Sequence, residues 1–216
     1  NDCLPNVPEN LEFLFTKSDT ILIKNSPILD ISNTINELNF VKEIHIVAVN
    51  NEVKELLFLL EKDYNNSIEI KTVNFLKEIQ QTFNFKLENK AISEYSEPLT
   101  FLFEPNSAIL KSGGFHQLTN QLDVKKLHQH SHLYTSDVLI DFPGRRFKIE
   151  NIFPYDKKQL RKFSKANITT RNFPETVAQI RKKTKIKEGG DQYLFFTTNY
   201  KNELIVLFCS QIFNNG

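Results

Sequence analysis

The chain has 216 residues, 40% of them hydrophobic, which suits one large or two small domains with a proper core. Its 27 Lys and Arg and 26 Asp and Glu leave a formal charge of +1. No apolar run approaches the roughly 20 residues needed to span a bilayer, none reads as a signal-peptide core, and Cys3 and Cys209 form no metal or redox spacing, so a reducing, cytoplasmic setting is expected.

With 19 Phe and no Trp or Met, aromatic packing is expected to be phenylalanine-dominated, and a processed product or a fragment is expected from the absence of Met. Asn6 is a cap for a short helix with Pro8 in its first turn and Leu11, Leu14 and Phe15 on one face. TILIK at 20–24 is a short apolar run of the kind buried on both faces of a sheet. Residues 30–38 predict a helix, and EIHIVAV at 43–49 a second buried strand. Asn50-Asn51 then predicts entry into a helix with Val53, Leu56, Leu57 and Leu60 as its buried stripe. SIEIKTV at 67–73 alternates like a half-exposed strand; 75–88 fits either a helix or an edge strand. Strand, helix, strand, helix, strand implies parallel pairing. Three such strands are few for an independent domain, so the first ~90 residues suggest the second half of a larger doubly wound sheet.

Residues 88–98 are the candidate linker. After it come a strand at 99–103 and a helix from Asn106 to 122, which Gly113-Gly114 either kinks or breaks. Strands are predicted at 132–136 and 146–153 around Pro143-Gly144. The last part begins at Tyr155: a short helix capped by Asp156, a strand at 166–170, a helix opened by Pro174, and a hairpin of 192–198 with 203–210.

Charge is concentrated in one place. Residues 157–187 hold eleven Lys or Arg and one acid, Glu175, a local balance of +10, while the rest of the chain carries 16 bases and 25 acids. A cationic face on an acidic body suits a polyanion, most commonly nucleic acid, although a solvated basic helix without a partner has the same composition. The expected RNA contacts are Lys157, Lys158, Arg161, Lys162, Lys165, Arg171, Arg181, Lys182, Lys183, Lys185 and Lys187. Phe163 and Phe173 could stack on bases, but core packing is the expected role for both. His128, His130 and His132 share one face if extended, a spacing that could hold zinc; four well-placed ligands are usual, so no metal is expected. A metal-dependent hydrolase would need that cluster. His45 reads as a packed or edge histidine, and Lys111-Ser-Gly-Gly114 reverses the order of a phosphate loop.

Several segments together resemble a known family: KNSPILD at 24–30, VAVNNEVKELL at 47–57, EPNSAILKSG at 104–113, HLYTSD at 132–137, KANITTRNFP at 165–174 and GGDQYL at 189–194. In this order they resemble the C-terminal part of a bacterial class I SAM-dependent methyltransferase-like family with a ferredoxin-like insert domain and a C-terminal THUMP-like domain. The resemblance implies an α/β and α+β chain. Residues 1–90 would be the C-terminal half of a Rossmann-like methyltransferase domain, 91–154 a ferredoxin-like α+β domain and 155–216 a THUMP-like domain. It implies S-adenosylmethionine as cofactor of the full-length protein, held by a glycine loop upstream of Asn1. This chain alone is then expected to bind no SAM and to be inactive; micromolar binding in a calorimetric titration would overturn that. A substrate cleft is expected at Ser26, Pro27 and Asp30, after a sheet strand, and at Glu104, Lys111, His132 and Tyr134, with Ser136 and Asp137 beside them; helix caps and ion pairs explain the same residues. Ser26 and Asp30 in particular suit a helix start. The expected partner is tRNA or rRNA, with a homodimer through an unpaired sheet edge as a further expectation. The other reading is a non-catalytic RNA- or protein-interaction protein on a degenerate methyltransferase scaffold.

Overall fold

The computed structural model describes residues 5–87 and 92–213. Cys3 and the first four residues of the candidate linker, 88–91, lie outside them. The chain forms two compact units, Asn1–Lys90 with Asn106–Gly114, and Ala91–Pro105 with Phe115–Gly216. The architecture is α/β and α+β, as expected. Among the described residues no helix is long and apolar enough to cross a membrane.

The first unit runs α1 (Val7–Phe15), β1 (Thr20–Asn25), α2 (Ile31–Glu37), β2 (Val41–Val49), β3 (Glu52–Glu61), β4 (Glu69–Phe75), β5 (Gln80–Lys86) and α3 (Ser107–Ser112). The Asn6 side chain caps α1 by accepting the Glu9 N–H, and Leu11 and Phe15 turn inward. The five strands lie in the order β1-β3-β2-β4-β5.

Two expectations change here. Residues 52–61 form a strand, not a helix. Asn50 and Asn51 both have positive φ, 49° and 62°, the backbone of a two-residue hairpin turn, and asparagine is among the residues that accept it. The turn sends the chain back along β2, and Leu56, Phe58 and Leu60 bury with a period of two. Pairing is also less parallel than expected: only β2 with β4 runs parallel, while β1/β3, β2/β3 and β4/β5 are antiparallel. The ambiguous stretch 75–88 contains the edge strand β5, which buries Phe83 and Phe85.

Helix α3 packs on β2, β3 and β4. An amide network fixes it there. Asn51 donates its N–H to Asn74 Oδ1 (2.9 Å) and accepts the Ser107 N–H at its own Oδ1 (2.7 Å). Asn74 and Asn106 both donate to Gln81 Oε1, each at 3.2 Å, so these buried amides do not go unpaired. The predicted helix 106–122 breaks where Gly113 takes a left-handed φ of +72° as the C-cap of α3. Gly114 is needed for a different reason: a Cβ there would meet Phe85 Cε1 at 2.5 Å.

The second unit contains β6 (Phe101–Pro105), α4 (Phe115–Gln121), β7 (Lys125–Lys126), β8 (Tyr134–Ser136), β9 (Gly144–Pro154), α5 (Lys157–Leu160), β10 (Asn167–Arg171), α6 (Val177–Thr184), β11 (Gln192–Thr198) and β12 (Leu204–Ile212). Its sheet has the order β10-β11-β12-β9-β6-β8-β7; β10/β11 is parallel and the other strand pairs among the described residues are antiparallel. Long strand β9 pairs with β6 through residues 144–148 and with β12 through 146–154. Alternation sorts the side chains of β11 and β12 into two cores. Leu194, Phe196 and Val206 join Phe153, Leu160, Phe163, Ala166, Ile180 and Ile186 on one face. Phe195, Ile205, Leu207 and Cys209 join Leu102, Leu127, Leu133 and Phe147 on the other.

Candidate nucleic-acid interface

The basic stretch is laid over the first of those two cores. Its apolar residues Leu160, Phe163, Ala166, Ile180 and Ile186 point into that cluster. The bases between them are thereby turned outward. Lys157, Lys158, Arg161, Lys162, Lys165, Lys182, Lys185 and Lys187 are exposed, and among the described residues none of these eight has a carboxylate within ion-pair distance. Phe163 and Phe173 pack inward as expected. Phe173 meets Tyr155 and Phe196 edge-to-face, and Phe163 lies against Phe153 and Phe208.

The remaining three bases are committed elsewhere. Arg181 donates to Ile186 O (3.0 Å) and Ala166 O (3.2 Å), tying the end of α6 to the segment before β10. Lys183 pairs with Glu175 at 2.8 Å, and that ammonium holds the Glu175 carboxyl below its usual range. Arg171 pairs with Glu104. A Thr176–Gln179 capping box starts α6, and its last turn carries Arg181, Lys182 and Lys183, where the helix dipole favours cations. Lys165 and Lys187 are joined by a parallel bridge, with Ala166 N–H donating to Lys187 O and Lys187 N–H to Ser164 O, both at 3.0 Å. The Lys165 stem crosses Gly189, where a Cβ would lie 3.1 Å from its Cε. With φ of +95°, Gly189 is favoured by its backbone.

The sequence-expected cleft residues are divided between the two units. Ser26, Pro27 and Asp30 follow β1 in the first unit, where the Asp30 carboxylate accepts the Asn33 N–H at 2.9 Å as N-cap of α2 and Ser26 Oγ accepts the Ile28 N–H. Lys111 is in the last turn of α3, also in the first unit. Glu104, His132 and Tyr134 belong to the second unit. Tyr134 is fully buried and donates its hydroxyl to Phe115 O at 2.7 Å; burial raises its pKa. Ser136 caps the Val138 N–H and Asp137 accepts from Thr100, both structural duties. His45 lies 2.9 Å from Glu43, whose carboxyl is held low chiefly by Lys71.

Around His132 the second unit gathers a polar cluster. His128 accepts the His130 N–H and the Asn172 side-chain N–H at Nδ1, which leaves Nε2 protonated to donate to Asn202 Oδ1 at 3.1 Å. His132 has a positive φ of 51°, its ring lies flat on Phe115 with centroids 3.7 Å apart, and its buried Nδ1 has no hydrogen-bond partner in the structure. Burial, followed by the charges of Lys126 and Arg171, lowers its pKa to about 4. Lys126 is 1% exposed, donates to Gln129 O at 2.9 Å and is pushed down to about 8 by burial. Among the described residues no group of three His, Cys, Asp or Glu is placed to hold a metal ion. Lys126, Phe115 and Arg145 had no signal in the sequence: a lysine in a polar loop gives no sign of being buried.

His132 makes a pH prediction. Between pH 6.5 and about 4 the unfolded chain binds a proton at this ring that the folded chain refuses, so its contribution to stability is lost as pH falls across that window. His132→Asn keeps a residue type that accepts positive φ and removes the titration. The drop in unfolding free energy from pH 7 to pH 5 should be smaller in this variant by about 1–2 kcal/mol. Equal drops in denaturant titrations of the two proteins would refute the assignment.

Residues 101–143 match a ferredoxin-like domain family and residues 144–211 a THUMP domain-like family. The expected domain content, ferredoxin-like followed by THUMP-like, is therefore present. A crystal structure of a "putative methyltransferase from Porphyromonas gingivalis W83" is 34% identical, with a TM-score of 0.89 over 98% of this chain and 56% of that one. This chain thus spans little more than half the length of that protein. No curated protein matches the chain.

Proposed function

We propose that this chain is the RNA-positioning portion of a SAM-dependent RNA methyltransferase. The observation that carries the reading is the set of eight exposed bases over one core within the THUMP-like segment, none with a carboxylate partner among the described residues. Lys157, Lys158, Arg161, Lys162, Lys165, Lys182, Lys185 and Lys187 would contact phosphates of tRNA or rRNA. Such contacts fix register without reading sequence. Lys183, Arg171 and Arg181 contribute charge but are held by protein groups.

Methyl transfer belongs in this proposal to the longer polypeptide. Gly113 caps α3 and Gly114 is pressed against Phe85, so both glycines serve the fold of the first unit. No step of the transfer is assigned to this chain. The test is binding of tRNA and rRNA to the purified chain over a salt series. Affinity that falls steeply with salt is expected; absence of RNA binding at low salt overturns the reading.

A further inference from the structure

Glu104 is held by more charge than it needs. Its side chain is 4% exposed at the end of β6, yet both of its oxygens are taken. Arg145, at the start of β9, donates Nε to Oε2 at 2.7 Å and adds an Nη2 contact. Arg171, at the end of β10, donates Nε and Nη2 to Oε1 at 3.1 and 2.8 Å. One arginine would neutralise the carboxylate; the second leaves a surplus positive charge. Both guanidinium side chains remain more than a third exposed, at 39% and 36%. Each spends its Nε–Nη2 edge on Glu104, so its Nη1 lies on the opposite edge. The buried carboxylate orients two planar forks in advance, and such forks suit a group with several oxygens.

Among the described residues Glu104 is the one carboxylate within ion-pair distance of Arg145 and Arg171. Lys126 and Arg171 both act electrostatically on the His132 ring. His132 itself combines an uncommon backbone conformation with a buried nitrogen that nothing in the protein satisfies. Strained, unsatisfied polar residues in a positive field are expected where a ligand completes the structure. Arg171 also ends the strand that follows Lys165. Six residues at about 3.3 Å each put the two at most roughly 20 Å apart along the segment that leads through β10, a few phosphates along an RNA strand.

We infer that Arg145 and Arg171, oriented by Glu104, form a site for a single phosphate group, with Lys126 and His132 beside it. This rests on the RNA reading above for the source of the phosphate: a phosphate of the bound RNA, seated by the clamp while the exposed lysines hold its neighbours. Arg145 and Arg171 would touch the ligand; Glu104 is a positioning residue.

The experiment is an NMR titration of the whole chain, observing arginine side-chain and histidine ring resonances. Inorganic phosphate is added first, then matched short oligoribonucleotides with and without a 5′-phosphate. Phosphate should shift Arg145, Arg171 and His132 together, and should raise the His132 pKa measured by its ring shifts. A preference for the 5′-phosphorylated oligomer assigns the site to a terminal phosphate, and equal shifts to a backbone phosphate. Arg145→Lys with Arg171→Lys keeps the charge and removes the forks, and should weaken phosphate binding at least tenfold. Tens of millimolar phosphate without a shift in these residues overturns the site in the unmodified chain, whatever the variant's folding. So does phosphate binding by the double variant at unchanged strength. RNA binding without a phosphate effect sinks the site alone; phosphate binding without RNA binding sinks the RNA reading and leaves an anion site.

Discussion

Alanine at Lys158, Arg161, Lys165, Lys185 and Lys187 together should abolish most salt-dependent RNA binding without unfolding the chain. All five are exposed, and among the described residues none has a carboxylate partner. Each phosphate contact adds about 0.7–0.9 to the slope of log K against log salt, so the five should remove about 3.5–4.5 from it. Arg181→Ala is the control. Its guanidinium is spent on Ile186 O and Ala166 O, so its loss should lower stability more than it lowers the slope. Filter binding across a salt series gives both numbers. An unchanged slope in the five-site variant would mean that these bases do not face RNA.

Phe196→Ala should destabilise the second unit by about 3–5 kcal/mol. Phe196 is fully buried, meets Tyr155 and Phe173 edge-to-face, and belongs to the core on which α5 and α6 rest. Five of the six tyrosines lie in this unit, so tyrosine fluorescence in a denaturant titration follows it directly. The basic surface is carried by this core, so RNA binding should disappear over the same denaturant range as the tyrosine signal. A loss below about 1 kcal/mol would show that the bases are supported by something other than this cluster.

The two variants test features of unequal visibility in the sequence. The charge run was legible because composition survives folding: whatever 157–187 became, its bases had to reach solvent or a partner. The hairpin β11–β12, the Asn6 and Asp30 caps and the inward Phe163 and Phe173 follow from local chemistry that the fold did not override. Residues 52–61 misled because LLFLL is apolar at every step and fits a helical stripe as well as a strand. The turn at Asn50-Asn51 decided it, through two left-handed residues. Pairing partners are set at a distance, so the antiparallel majority of the first sheet could not be read from the order of elements. The site was legible only as residue types. Glu104, His132 and Arg171 could be named as candidates. That Arg171 would meet Glu104, 67 positions away, is set by the tertiary fold, since β11, β12 and β9 stand between their strands in the sheet order.

Strand β9 starts where the ferredoxin-like match ends and the THUMP-like match begins, and it is hydrogen-bonded to strands from both. Cutting the polypeptide at 143/144 would strip β6 of a neighbour and leave β9 with a bare edge, and bare edges recruit other chains. The two matched segments are therefore not interchangeable cassettes. Expressed apart, they should aggregate, and mixed together they should recover a common sheet.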